Sequence, residues 1–283
     1  MRVLNNVLLQ EYTTFRIGGC AKVIYIPQSI EELKKIIDKI SKKQYYVIGG
    51  GSNLLINDQK VFKNVVDVSS FDKSITKLGK GKYYIGASVR LQTLINKIND
   101  DGFGGIEYLY SVPGLVGGVI VMNAGRGKQY GLSISDHIID VHVYINGNVK
   151  VLKKEECEFE YRNSIFKNSN YIILGATLKF DLMNIKESER LKKERLKLCK
   201  EFQDNSAYNF GSVFMECNGT IMRIIKRILP GYKNGVKFSK KTPNWLLNEG
   251  EGTFCQAISL INRVKKIHKI FGKKAIPEVI IWA

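Results

Sequence analysis

Three consecutive glycines, Gly49-Gly50-Gly51, follow the apolar run Tyr45-Tyr46-Val47-Ile48 and lead into Ser52-Asn53-Leu54. This stretch restricts the fold most. Glycines lack Cβ atoms, so their backbone N–H groups can turn outward together and let an anion come close. A phosphate-binding loop and a plain tight turn are both open on these residues alone. Upstream, Val23-Ile24-Tyr25-Ile26 reads as a strand ended by Pro27, and Ser29-Ile30-Glu31-Glu32 is a capping box opening a helix. Leu33, Ile36, Ile37 and Ile40 then recur at helical spacing. The unit is β-α-β with its glycines after the second strand. A dinucleotide-binding Rossmann unit carries them after the first, as G-x-G-x-x-G, so that fold is excluded.

Beyond the loop, Val65-Val66-Asp67-Val68 predicts a short strand, and Ser69-Ser70 marks a change of lobe. A strand at Tyr83 to Gly86 and a helix carrying Leu91, Leu94, Ile95 and Ile98 follow. A second glycine-rich stretch, Ser111 to Gly125, interleaves apolar with small residues; it suits a short buried helix against which either a flat ligand or another helix lies. Strands are expected at 138–145 and 171–180, with Glu158-Phe159-Glu160-Tyr161-Arg162-Asn163-Ser164 between them. Residues 184–203 read as a charged connecting helix. Asn209-Phe210-Gly211-Ser212-Val213-Phe214 places a serine on a glycine turn, without the G-x-S-x-G elbow or His-Asp partners of a triad hydrolase. A last helix starts near Thr253 and ends at Gly272, and Pro277 to Trp282 closes the chain as a strand led by Glu278.

With 283 residues, 44% of them hydrophobic, the chain can bury two or three lobes. No apolar run approaches the ~20 residues that span a bilayer, and the N-terminus lacks a signal-peptide core, so a cytoplasmic protein that meets no membrane is expected. Five scattered cysteines and three scattered histidines predict reduced thiols and no metal centre. The net charge of +18 would concentrate any polyanion. Its two basic runs, 190–200 and 265–274, read as solvated helix faces, and no nucleic-acid motif accompanies them. A basic nucleic-acid or anionic-surface binding protein is therefore the weaker reading.

Taken in order, Thr13-Thr14-Phe15-Arg16-Ile17-Gly18-Gly19, Gly49 to Asn53, Val112-Pro113-Gly114 through Gly117-Gly118, Asn123-Ala124-Gly125, Cys157 through Ser164, Gly211 to Phe214 and Pro277-Glu278-Val279 resemble the UDP-N-acetylenolpyruvoylglucosamine reductase family, in its compact type II form. The resemblance implies an α+β fold: a two-lobed FAD-binding half of the vanillyl-alcohol-oxidase (PCMH) type, residues 1–68 with strand 276–283 and residues 69–183, plus a third α/β substrate-binding domain, 184–275. It implies FAD as cofactor, NADPH as electron donor and a UDP-sugar enolpyruvyl substrate, reduced to UDP-N-acetylmuramate for peptidoglycan by a monomer serving cell shape and division. Gly49, Gly50, Gly51, Ser52, Asn53, Leu54, Pro113, Gly114, Gly117, Gly118, Asn123, Ala124 and Gly125 would contact FAD. Arg162 and Glu278 would stabilise an enolate and Ser212 would donate the proton; Tyr161, Arg162, Ser212, Lys237 and Ser239 would bind substrate. An enolate needs a donor, so Glu278 would act as a protonated carboxyl. A same-fold flavoprotein with another substrate is the alternative, because Met215-Glu216-Cys217-Asn218 and Thr242-Pro243 depart from the family pattern.

Overall fold

The computed structural model describes residues 1–40, 44–229 and 231–283. The chain forms two compact units: residues 1–4, 24–50 and 64–199, and residues 5–23, 51–63 and 200–283.

In the first unit, helix α1 (Ile30–Ile40) buries Leu33, Ile36, Ile37 and Ile40, the face its spacing predicts. It links Cys20–Ile26 to Tyr46–Ile48, but those strands do not touch. Val65–Asp67 lies between them, parallel to both, with Ile24 opposite Val65 and Val47 opposite Val66. A separate antiparallel sheet runs in the order Asn148–Lys153, Ile138–Ile145, Ile172–Lys179, Lys82–Gly86, Ile75–Gly79. Helices α2 (Leu91–Asp100) and α3 (Val116–Val121) share one core with it. Leu91, Leu94, Ile95 and Ile98 are fully buried there, each worth on the order of 2 kcal/mol. The two outer strands carry mostly exposed residues, so they show little of the alternation that marks a half-buried strand. Asn146-Gly147, both at positive φ, forms the two-residue hairpin that turns the chain into Asn148–Lys153. Helix α4 (Ile185–Phe202) begins in this unit.

In the second unit, α5 (Gly219–Ile228) and α6 (Phe254–Ile270) pack together over a core of Phe15, Ile17, Leu55, Met222, Ile225, Leu260 and Ile261. Thr253 caps α6: its hydroxyl accepts from Gln256 N–H and the Gln256 amide oxygen accepts from Thr253 N–H. Three short pairings complete it: Leu54–Ile56 parallel to Ile280–Trp282, Val236–Phe238 antiparallel to Leu246–Asn248, and Phe214–Glu216 antiparallel to Ile276–Pro277.

Candidate functional site

The first unit brings two loops together. At the end of α3 the chain enters a left-handed turn at Asn123 (φ 40°), a conformation asparagine tolerates better than most residues. The Asn123 side chain is buried and used at both ends, Nδ2 donating to Glu160 O (2.9 Å) and Oδ1 accepting from Ser135 N–H (3.2 Å). Across from it, Glu160 and Asn163 exchange backbone hydrogen bonds in a tight loop, and Ser164 Oγ donates to Val121 O at 2.8 Å. Arg162, itself left-handed (φ 58°), is thereby aimed back at the first loop. Its Nη1 donates to Asn123 O (3.4 Å) and Nη2 to Gly125 O (2.6 Å), and the guanidinium lies 5.3 Å from the centre of the half-exposed Tyr161 ring. Two carbonyl acceptors fix the plane of a group that stays charged, an arrangement suited to a carboxylate or enolate. These residues line a cleft of about 410 Å³ with Lys128, Asp136 and Lys154. Burial, reinforced by Asp136 and Glu107, raises the Tyr108 phenol far above its ordinary range, so Tyr108 is no acid here. Burial likewise pushes the Cys157 thiol up to about 12, which makes it inert.

The glycines divide by what a side chain would meet. Gly51 has φ 61°, and a Cβ there would fall 1.8 Å from Tyr12 O, so the fold itself demands glycine. At Gly117 a Cβ would press within 3.0 Å of Ala87 Cβ, and at Gly125 within 2.1 Å of Leu132 O. Gly49, Gly50 and Gly118 differ. None has positive φ, a Cβ at Gly49 or Gly50 would make only ordinary contact with Leu115 or Gly114, and one at Gly118 would meet nothing within 4 Å. Among the described residues no contact calls for glycine there, and the bare backbone is open to a ligand. Pro113 and Gly114 precede α3, and Ala124 is buried behind it, its N–H donating to Val119 O.

In the second unit Asn53 Nδ2 donates to Glu278 O at 3.2 Å, and Leu54 begins the strand parallel to Ile280–Trp282. Asn53 thus lies beside Glu278. Glu278 N–H donates to Val213 O (2.8 Å), which sets Glu278 beside the segment that carries Ser212. The Ser212 side chain makes no hydrogen bond among the described residues, and its backbone forms a bridge with Trp245. Asn244 holds this segment. Its Oδ1 accepts from Phe214 N–H (3.1 Å), its Nδ2 donates to Phe214 O (2.7 Å), and its own carbonyl accepts from Val213 N–H (2.9 Å). The amide does what a neighbouring strand would do, and one asparagine so positions both Ser212 and Glu278.

Two residues expected at the substrate are occupied within the protein. Ser239 is fully buried, its hydroxyl donating to Asp204 Oδ2 (2.6 Å) and accepting from Lys241 and Thr242 N–H. Lys237 is ion-paired with Glu249. In the segment that departs from the family pattern, Glu216 ends a strand and the Asn218 side chain caps α5, accepting from Thr220 and Ile221 N–H. The sequence reading gave no role to Asn244 and took Asn123 only as an FAD contact. Asparagine after proline and asparagine after an apolar helix were the available signals. No metal-holding cluster occurs among the described residues, and none of their helices is long and apolar enough to cross a membrane.

Residues 21–153 match a family described as an FAD binding domain. The chain is 30% identical to the UDP-N-acetylenolpyruvoylglucosamine reductase of Fusobacterium nucleatum, with 99% of each covered. It is 31% identical to that of Caldanaerobacter subterraneus, covering 97% of this chain and 91% of the relative. The crystal structure of UDP-N-acetylenolpyruvylglucosamine reductase from Thermus caldophilus superposes over 100% of both chains with a TM-score of 0.81 at 27% identity. The expected α+β fold with an FAD-binding half is thus the fold of this chain.

Proposed function

We propose, from the premise that this chain belongs to the UDP-N-acetylenolpyruvoylglucosamine reductase family, how its own residues serve that family's reaction. The protein is an FAD-dependent oxidoreductase that reduces UDP-N-acetylglucosamine enolpyruvate to UDP-N-acetylmuramate in peptidoglycan synthesis. The observation that carries this is the end-to-end match, at 99% of both chains, to a relative of that name. NADPH as donor, a cytoplasmic monomer and the division into lobes 1–68, 69–183 and 184–275 are part of the same reading.

Gly49, Gly50 and Gly118 support FAD binding, since their bare backbone leaves room for a ligand to lie against it. The cofactor would be held by Gly49 to Leu54, by Pro113, Gly114, Gly117 and Gly118, and by Asn123 to Gly125. When bound, FAD supplies a carrier that accepts hydride from NADPH and releases it to the substrate's vinyl group. The rest belongs to the chain. Reducing a vinyl group beside a carboxylate places negative charge on the carboxylate side. Arg162, pinned by the Asn123 and Gly125 carbonyls, receives that charge through two N–H groups. Glu278 supports the same oxygen as a donor, with Tyr161 beside Arg162. Ser212 delivers the proton to the adjacent carbon, so that one hydride and one proton complete the reduction. A serine hydroxyl is a weak acid, and it must be reloaded from water after each turnover. Lys237 and Ser239 would bind the substrate, with Lys237 also paired to Glu249 and Ser239 bonded to Asp204. The test is steady-state conversion by the purified protein, following NADPH absorbance and product mass together. Formation of UDP-N-acetylmuramate in step with NADPH loss supports the reading; bound FAD with no product refutes it.

A further inference from the structure

Charge is unevenly distributed along this chain. Residues 217–277, about a fifth of it, carry thirteen lysines and arginines against two acids, Glu249 and Glu251, and so hold eleven of the eighteen surplus positive charges. The two basic runs seen in the sequence prove to be different things. On α4 four glutamates alternate with the cations, and two of these are paired: Arg190 with Glu187 and Glu194, and Lys192 with Glu189. At the end of α6 no acid lies between residues 252 and 277, and Lys265, Lys266, Lys269, Lys273 and Lys274 form no ion pair among the described residues. In their midst Ile270 and Phe271 are 70% and 64% exposed. The neighbouring helix repeats the pattern. On α5, Ile224 (52% exposed) and Ile228 (61%) stand one turn apart beside Arg223 and Arg227. Asn218 N–H donates to Nε2 of the buried His268 at 3.0 Å, which ties the start of α5 to the last turn of α6.

A merely solvated face accounts for the lysines but not for two adjacent large apolar side chains left in water between them. A nucleic acid would engage the cations and gain little from isoleucines, and a small polyanion would need a concave site. An anionic bilayer uses both features, since phosphate headgroups meet the cations while the apolar side chains enter the headgroup–acyl boundary. We propose that the last turn of α6, with its lysines and the exposed Ile270 and Phe271, docks this protein on an anionic lipid surface, against the sequence expectation of no membrane contact. The inference does not depend on the assigned reaction.

The test is flotation of the FAD-loaded full chain with vesicles of phosphatidylcholine, with and without phosphatidylglycerol. Binding is expected only with phosphatidylglycerol and should weaken as salt is raised. Lys266→Glu/Lys269→Glu should lower the partition coefficient by about fivefold for each cation removed. Ile270→Ser/Phe271→Ser should lower it by roughly tenfold or more, because apolar burial is lost. Turnover and melting temperature should not change in that second variant, since both side chains are exposed. Absence of flotation, or equal flotation of the wild type and the Ile270→Ser/Phe271→Ser variant, overturns the proposal. So does DNA retention that the same serine changes abolish in parallel.

Discussion

Replacing Asn244 should separate the two halves of the reaction. Its amide makes two hydrogen bonds to the buried Phe214 backbone, at 3.1 and 2.7 Å. At ~0.5–1.5 kcal/mol net for each bond, with a penalty for any Phe214 group left unpaired, Asn244→Ala should cost about 2–3 kcal/mol of stability. Asn244→Asp is more pointed, because it keeps an acceptor for Phe214 N–H and sets a carboxylate oxygen against Phe214 O. Either change loosens the segment from which Ser212 extends and to which Glu278 is bonded through Val213 O. Displacing a reacting group by ~1 Å can slow a step by as much as ~100-fold. In stopped-flow absorbance, flavin reduction by NADPH should stay within a few-fold of wild type, while reoxidation by the enolpyruvyl substrate should fall by roughly ten- to a hundredfold. A variant that melts lower yet reoxidises at the wild-type rate would show that Asn244 serves stability alone, and the positioning argument would fail.

Three further outcomes are expected. Gly118→Ala should fold normally and lose FAD affinity, whereas Gly51→Ala should fail to fold stably, because only the second Cβ collides with backbone; flavin content and melting curves compare them. Asn123→Gly keeps the left-handed turn but deletes the bonds to Glu160 and Ser135, so kcat should fall about tenfold with FAD retained, and loss of FAD instead would make the side chain a cofactor contact. Burial pushes the Asp204 carboxyl up, but hydrogen bonds from Ser206 and Ser239 outweigh it and leave Asp204 lowered. Its stabilisation is therefore complete above the unfolded value of ~3.9 and lost as pH falls through the folded value. Ser239→Ala should destabilise the protein at neutral pH, with the gap in melting temperature narrowing below about pH 4.

Periodicity made the helices legible: α1 and α2 bury the positions that their spacing picked out, and α6 starts at Thr253 as expected. Edge strands were not legible. Asn148–Lys153 and Ile75–Gly79 expose most of their side chains, and only the Asn146-Gly147 turn signalled the first of them. The intervening position of Val65–Asp67 between the two strands joined by α1 depends on pairing between distant segments, which no local pattern encodes. At the site, glycine runs and the Tyr161-Arg162 pair stood out by residue type. What organises them did not. Asn123 reaches Glu160 across 37 residues, and Asn244 reaches Phe214 across 30. Ser239 adds a further case, since its hydroxyl donates to Asp204 across 35 residues, a partner that no local pattern encodes.

The most direct test of the central claim is an anaerobic double-mixing experiment on the purified protein. NADPH is added first, and UDP-N-acetylglucosamine enolpyruvate second, while flavin absorbance is followed. The account predicts bleaching on the first addition and prompt return of the flavin band on the second. Bleaching without return would contradict the substrate assignment, and protein that binds no flavin would contradict the account as a whole.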